Sequence, residues 1–114
     1  MQISQDCGSC NPHDLTLHKQ VKEIADLLRP ELLRLHGTPE ESNANIKLYL
    51  LVSEQVSVVK KEVTNQDALF AFQNILSFIK KAIALAEKKA VNQEILWLLQ
   101  EVMAVLFKVQ NLPS

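Results

Sequence analysis

Two cysteines and two histidines near the N-terminus are the side chains best suited to chemistry. Cys7, Cys10, His13 and His18 follow the spacing Cys-x2-Cys-x2-His-x4-His. Two thiolates at this spacing can form a disulfide or bind a metal ion. The sequence has no second Cys or His pair at a recognised ligand spacing, and no thioredoxin-like strand precedes the motif. Three interpretations therefore stay open: a metal or redox site, a disulfide clamp, and a flexible arm with incidental thiols, which we favour.

The composition excludes several function classes. The chain of 114 residues is 47% hydrophobic and carries a net charge of −1, with both signs mixed along its length. Binding to nucleic acid or to an anionic membrane needs a basic surface, so we expect neither partner. The N-terminus has no basic segment followed by an apolar one, so we expect no signal peptide and a cytoplasmic protein. One domain over residues 11–114 is predicted, preceded by a flexible arm over residues 1–10.

The apolar spacing predicts four helices and no strands. Asn11 and Pro12 open the first helix, and Pro30 falls inside its apolar pattern, where a proline removes one hydrogen bond and kinks the helix. A capping box, Thr38-Pro39-Glu40-Glu41, predicts the start of the second helix. Thr64 or Asn65 caps the third helix, and a change of apolar phase between Glu87 and Asn92 predicts a break before the fourth helix, for which Asn92 is the predicted N-cap. The predicted fold is an antiparallel up-down four-helix bundle.

The predicted inward faces leave little room for a cofactor. Bundles that bind metals or haem carry Glu, His or Cys on their inward stripes, often as Glu-x-x-His. No Glu-x-x-His occurs in this sequence, and Tyr49 is the only ionisable residue on the predicted seams. We therefore expect no cofactor and no enzymatic site. Arg29 and His36 lie two turns apart on the first helix, where we interpret them as a solvated flank. The predicted seams are Leu17, Val21, Ile24, Leu28, Leu32 and Leu35; Tyr49, Val52, Val56, Val59 and Val63; Leu69, Phe72, Leu76, Ile79, Ile83 and Ala86.

The last long segment, residues 92–110, is apolar over about 240° of its helical circumference. Such a helix must be buried from more than one side. Three neighbours in a monomeric bundle can hardly cover that arc, and exposed apolar patches usually mark a partner site. We therefore expect a homodimer through Leu96, Met103 and Phe107, with Trp97 at the rim and another protein as a further possible partner.

Two hypotheses of function follow from these features. The first is a non-enzymatic helical protein that acts through protein–protein contacts and self-associates through its C-terminal helix. The second is a small metal- or thiol-dependent protein that uses Cys7 and Cys10.

Overall fold

The structure, a computed structural model, describes residues 12–37 and 44–111, with side chains from residue 17 onward. These residues form four α-helices and no strand, which confirms the all-α prediction. The helices are α1 (Pro12–Gly37), α2 (Ile46–Glu62), α3 (Gln66–Glu87) and α4 (Asn92–Gln110).

The four helices pack in a closed ring. Helix α1 contacts α2 and α4, and α3 contacts the same two helices. In the part of the chain that is described, neither α1 and α3 nor α2 and α4 are in contact. The packing is that of a helical bundle, and each helix turns one apolar face toward the middle. The largest fully buried side chains are Tyr49, Phe72, Ile24, Leu28, Leu35, Ile75, Ile79, Ile95, Leu99 and Leu106.

Helix α1 continues as one α-helix through Pro30 to Gly37. Because proline has no backbone N–H, the carbonyl of Asp26 receives no helical hydrogen bond from this position. Beside the proline, Arg29 pairs with the Asp26 carboxylate at 2.6 Å, and both side chains are largely exposed. The predicted cap at Asn11 lies outside the described residues.

The predicted start of the second helix at Thr38 is wrong. The helix that carries the predicted buried residues Tyr49, Val52, Val56 and Val59 starts later in the chain. Helix α2 begins at Ile46, and Ala44 and Asn45 are not helical. Asn45 is the N-cap, since its side-chain oxygen accepts a hydrogen bond from the backbone N–H of Leu48 at 3.1 Å. A local capping signal competes with others nearby, and Asn is as good a cap as Thr. Residues 38–43 lie outside the described part of the chain.

The inward face of α3 is rotated from the predicted one. Phe72, Ile79 and Ala86 are buried as predicted, whereas Leu69, Leu76 and Ile83 are only half-buried. The centre of the face includes two alanines and an isoleucine that the prediction omitted, namely Ala68, Ala82 and Ile75. Small side chains on the inward face let neighbouring helices approach closely, a packing effect that a search for large apolar residues overlooks.

By length and composition alone, α3 is the one described helix that could cross a membrane, with a mean hydropathy of 1.4 over its most apolar window. A core helix of a bundle has the same composition. Phe72, Ile75 and Ile79 have no exposed surface, because α2 and α4 pack against this helix.

The predicted break before the fourth helix is confirmed. Helix α3 ends at Glu87, and α4 begins at Asn92. Val91 is the N-cap of α4 and makes no side-chain capping bond, whereas Asn92, predicted as the cap, is the first helical residue and is fully buried. Helix α4 also buries more apolar residues than any other described helix, between α1 and α3.

Candidate interaction surface

The predicted cysteine and histidine motif lies almost entirely outside the described residues. Cys7 and Cys10 are not described, and of His13 only the backbone is placed, in the first turn of α1. The His18 side chain is exposed on α1. Within the described side chains, no group of three or more His, Cys, Asp or Glu residues could hold a metal ion. The motif therefore stays a prediction from sequence.

A buried carboxylate corrects the expectation that only Tyr49 is ionisable on the inward faces. Glu31 is 4% exposed at the end of α1 that leads into the α1–α2 connection. The Tyr49 hydroxyl donates a hydrogen bond to Glu31 Oε2 at 2.6 Å, and the backbone N–H of Asn45 donates to the same oxygen at 3.2 Å. Arg34 Nε and Nη2 donate to Glu31 Oε1 at 3.0 and 2.8 Å, and Nη2 also donates to Oε2 at 2.8 Å.

This arrangement satisfies a charge that would otherwise be costly to bury. A buried carboxylate is tolerated when it is paired and hydrogen-bonded, and Arg34 and Tyr49 supply those partners. Burial and the neighbouring Glu31 carboxylate raise the pKa of the Tyr49 phenol well above its ordinary value. The phenol therefore keeps its proton at neutral pH. The group joins α1 to the first turn of α2 and acts as a structural anchor.

A sequence signal for Glu31 was present but easy to miss. Val21, Ile24 and Leu28 are spaced three and four residues apart, and the same alternation continues through Glu31 to Leu35. This is the seam of a heptad, so Glu31 occupies an inward position. A search for apolar residues instead assigns Leu32 to the inward face of α1. In the structure, Leu32 is half-buried beside the core.

The outward face of α4 carries two large exposed aromatic side chains, comparable in exposure to Leu33 on α1 and Phe70 on α3. Trp97 and Phe107 are 59% and 67% exposed, and Ala104 lies between them on the same face. With Gln93 and Gln100 they form a stripe that follows helical spacings of four and three residues within an arc of about 80°. We call these five residues the α4 stripe. It contains no charged residue.

Charges lie along only one flank of the α4 stripe. Glu94, Glu101 and Lys108 follow each other at seven-residue intervals on that side. The other flank carries Leu96 and Met103. Leu96 is 7% exposed and packs into the core, and Met103 is half-buried against it. Of the four predicted interface residues, Trp97 and Phe107 therefore offer most surface to a partner, Met103 some, and Leu96 very little.

An open groove lies beside Trp97, at the junction between α3 and α4. Its volume is about 640 Å³. The apolar part of its wall combines Ala84 and Leu85 with Val91, Leu98 and Trp97. Lys81, Gln93 and Glu94 add polar groups to the same groove. The groove extends the apolar surface around one end of the α4 stripe.

Two smaller depressions lie between α1 and α2. One, of about 170 Å³, is lined by Glu23 and Glu54 together with glutamine and valine side chains. The other, of about 320 Å³, is lined by Glu23, Asp26, Leu27 and Gln55. Their walls are acidic and shallow, and the described residues give them neither a nucleophile with a base nor a set of metal ligands.

Comparison of the chain with protein-family models, with curated proteins and with solved structures finds no match.

Proposed function

We propose that this protein is a non-enzymatic helical bundle that acts through protein–protein contacts and associates with a second copy of itself through the outward face of α4. The observation that supports this most is the exposure of Trp97 and Phe107, at 59% and 67%, on a stripe without charge. Single exposed apolar residues are common on soluble proteins, but tryptophan and phenylalanine are enriched at the centres of interfaces. Its place in the cytoplasm stays a prediction from sequence.

The expected strength of association follows from the exposed area. Burying the remaining surface of Trp97 or Phe107 contributes about 1–2 kcal/mol, which is a little over half of the value for a fully exposed large side chain. Four such side chains in a symmetric dimer contribute about 4–8 kcal/mol before the cost of association. Dissociation constants of 1 mM and 1 μM correspond to about 4 and 8 kcal/mol. Because association itself costs about 4 kcal/mol or more, this sum is an upper bound on what the aromatic residues contribute, and we expect a reversible dimer no tighter than about 1 μM.

The proposal includes the finer topology of the bundle. We infer that neighbouring helices run antiparallel, because few residues connect α2 to α3 and α3 to α4, and such short connections favour antiparallel neighbours. Contact between α1 and α4 closes the ring in the way that an up-down order requires. We also propose a bend in α1 at Pro30, where one helical hydrogen bond is missing.

Substitution of Trp97 and Phe107 by glutamate tests the proposal. We expect the wild type to approach twice its 12.9 kDa mass in sedimentation equilibrium as its concentration rises. Trp97→Glu combined with Phe107→Glu should remain helical by circular dichroism and sediment as a monomer at every concentration, because the apolar surface is replaced by repelling charges.

Leu50→Glu is the matched control. Leu50 is 54% exposed on α2, a helix that does not contact α4 in the described structure. A single Glu at this position should leave the association unchanged. A wild type that stays monomeric up to about 1 mM, where binding would be worth only about 4 kcal/mol, contradicts the proposal.

A further inference from the structure

The spacing of the residues in the α4 stripe limits the ways in which two α4 helices can pair. This inference rests on the proposed function. Gln93, Trp97, Gln100, Ala104 and Phe107 are separated by four, three, four and three residues. Asn111, the C-cap of α4, continues the series with a further interval of four. This is the spacing of the seam in a helical coiled coil. Trp97, Ala104 and Phe107 alternate on it with the polar Gln93, Gln100 and Asn111, so a second helix packed along the stripe would bury the aromatic residues between amide side chains.

The second copy is the occupant that the sequence of the chain favours. The segments outside the described residues read MQISQDCGSCN, TPEESN and LPS, and none of them contains an aromatic residue or an apolar run. They offer no amphipathic helix that could cover Trp97 and Phe107. A symmetric pair, in contrast, lets one patch meet its own copy.

We propose that two α4 helices pair antiparallel across a two-fold axis at the level of Val102. The axis exchanges the two copies, so Val102 lies level with Val102 of the second copy. Both helices rise by about 1.5 Å per residue in opposite directions, so residue i of one copy lies level with residue 204 − i of the other. Trp97 then lies level with Phe107 of the second copy, and Gln100 lies level with Ala104. Gln93 and Asn111 form the ends of the seam. Shifting the axis by one seam interval separates Trp97 from Phe107, so among antiparallel registers this one covers both aromatic residues. A parallel pair would place Trp97 beside Trp97, but it would hold Glu94 and Lys108 about 21 Å apart along the axis.

The charged flank agrees with the same register. Glu94 of one copy and Lys108 of the other come within about 3 Å of the same level along the axis. The two-fold axis makes this contact twice. Neither Glu94 nor Lys108 forms an ion pair within the described residues, and both side chains are exposed. Lys81 lines the groove beside Glu94 but is likewise not paired with it.

At the level of the two-fold axis, one flank of the α4 stripe opposes association and the other favours it. On the charged flank, Glu101 meets Glu101 of the second copy, a like-charge contact that opposes association. On the other flank, Met103 meets Met103, and its half-buried side chain adds apolar contact. Removing the charge of Glu101 should therefore strengthen the pair, as an internal check on where the axis lies.

Charge reversal tests the register. Glu94→Lys and Lys108→Glu should each weaken the dimer by roughly tenfold, because each turns two attractive contacts into repulsive ones. The double variant should return the dissociation constant to within about threefold of wild type, and Glu101→Gln should lower it. Added salt should reduce all of these differences. Glu54→Lys changes the net charge by the same amount on α2 and should have no effect.

Disulfide cross-linking tests the direction of the pair. In a chain that carries Cys7→Ser and Cys10→Ser, we introduce either Gln93→Cys or Asn111→Cys. A mixture of the two should cross-link between positions 93 and 111 under mild oxidation, because these positions lie at the same level. Each variant alone should not, since its two copies are about 27 Å apart along the axis, far beyond disulfide reach.

The outcomes separate this inference from the function on which it rests. A monomeric wild type overturns both. Another outcome is a dimer that Trp97→Glu disrupts but that charge reversal at Glu94 does not weaken and that gives no mixed cross-link. This outcome would support the proposed function and overturn the antiparallel register. Self-cross-linking of Gln93→Cys alone would show a parallel pair and overturn the register as well.

Discussion

At the scale of single residues, Glu31 and Tyr49 have the most distinctive environment among the described side chains. Glu31 is nine-tenths buried or more, and it accepts hydrogen bonds from Arg34, from the Tyr49 hydroxyl and from the backbone of Asn45. Each partner satisfies part of a carboxylate that would be expensive to bury alone. The same contacts fix the first turn of α2 against α1, so a polar group replaces apolar packing at this end of the bundle.

Ionisation of Tyr49 provides a test of this environment. Burial and Glu31 raise the pKa of the phenol in the folded state above its unfolded value of about 10. The resulting stabilisation is therefore fully present below about pH 10 and falls by about 1.4 kcal/mol for each pH unit above it. Tyr49 is the only tyrosine, so tyrosinate absorbance reports on it alone. We expect that absorbance to appear together with the loss of helix.

Tyr49→Phe is the comparison for this experiment, because it removes the phenol and keeps the aromatic ring. The variant should lose about 1–3 kcal/mol at neutral pH, since Glu31 loses a hydrogen-bond donor. Its stability should then fall less steeply than that of the wild type above about pH 10, the ordinary pKa of an unfolded phenol. Tyrosinate absorbance that rises near pH 10 while the helices remain intact would contradict the buried hydrogen bond.

At the scale of elements, the ends of the helices differ in how well they are capped. The Asn65 side chain accepts hydrogen bonds from the backbone N–H groups of Asp67 and Ala68, and Asn45 caps α2 in the same manner. The end of α3 uses a different device. Ala90 N–H bonds to the Leu85 carbonyl and Lys89 N–H to the Ala86 carbonyl, the pattern of a Schellman motif.

Lys89 occupies the left-handed position of this motif, with φ of 59°. Glycine is the usual residue there because a Cβ atom costs energy at positive φ. We expect Lys89→Gly to raise the free energy of unfolding by about 0.5–1 kcal/mol, measured by urea denaturation. Lys88→Gly is the matched control: φ is −83° at this position, so glycine only adds chain entropy and should destabilise. Equal effects of the two variants would contradict the strained turn.

At the scale of the whole molecule, the core is formed by side chains from all four helices. Residues from Val21 in α1 to Val109 in α4 belong to one cluster of buried apolar side chains. Apolar packing between the four helices, together with the Glu31 anchor, holds the described residues together. Cys7, Cys10 and the His13 side chain lie outside the described residues.

Removal of metal should consequently leave the fold intact. We expect helical content and Tm to be unchanged by EDTA and by Cys7→Ser combined with Cys10→Ser, because the apolar faces of four helices already supply a core. Circular dichroism during heating measures both quantities, and zinc content by elemental analysis provides the control. A fall in Tm after chelation, together with bound zinc that the cysteine substitutions remove, would instead support the metal-dependent hypothesis.

The sequence by itself determined the class of fold and most helix faces. Heptad-like spacing of Val52, Val56 and Val59 identified the buried face of α2, because only one face of a surface helix can be apolar. The sequence also predicted a cap at Thr64 or Asn65 and a break after Glu87, because caps and changes of apolar phase are determined by residues that are close in sequence. The sequence likewise placed Trp97 at the rim of the apolar arc of the last helix, because that position follows from helical periodicity alone.

Only the tertiary structure decided which of the competing local signals prevails. The capping box at Thr38 and the N-cap residue Asn45 are both plausible helix starts, and the hydrogen bond from the backbone N–H of Asn45 to Glu31 ties the second one to α1. Helical spacing places Glu31 on the inward side of α1, but only the packing of α1 against α2 shows that Tyr49 is its partner, beside Arg34 three residues later. Leu96 and Trp97 are sequence neighbours, but α1 and α3 pack around α4 and leave only Trp97 exposed. Such outcomes depend on which helices meet, and helical periodicity alone contains no information about that.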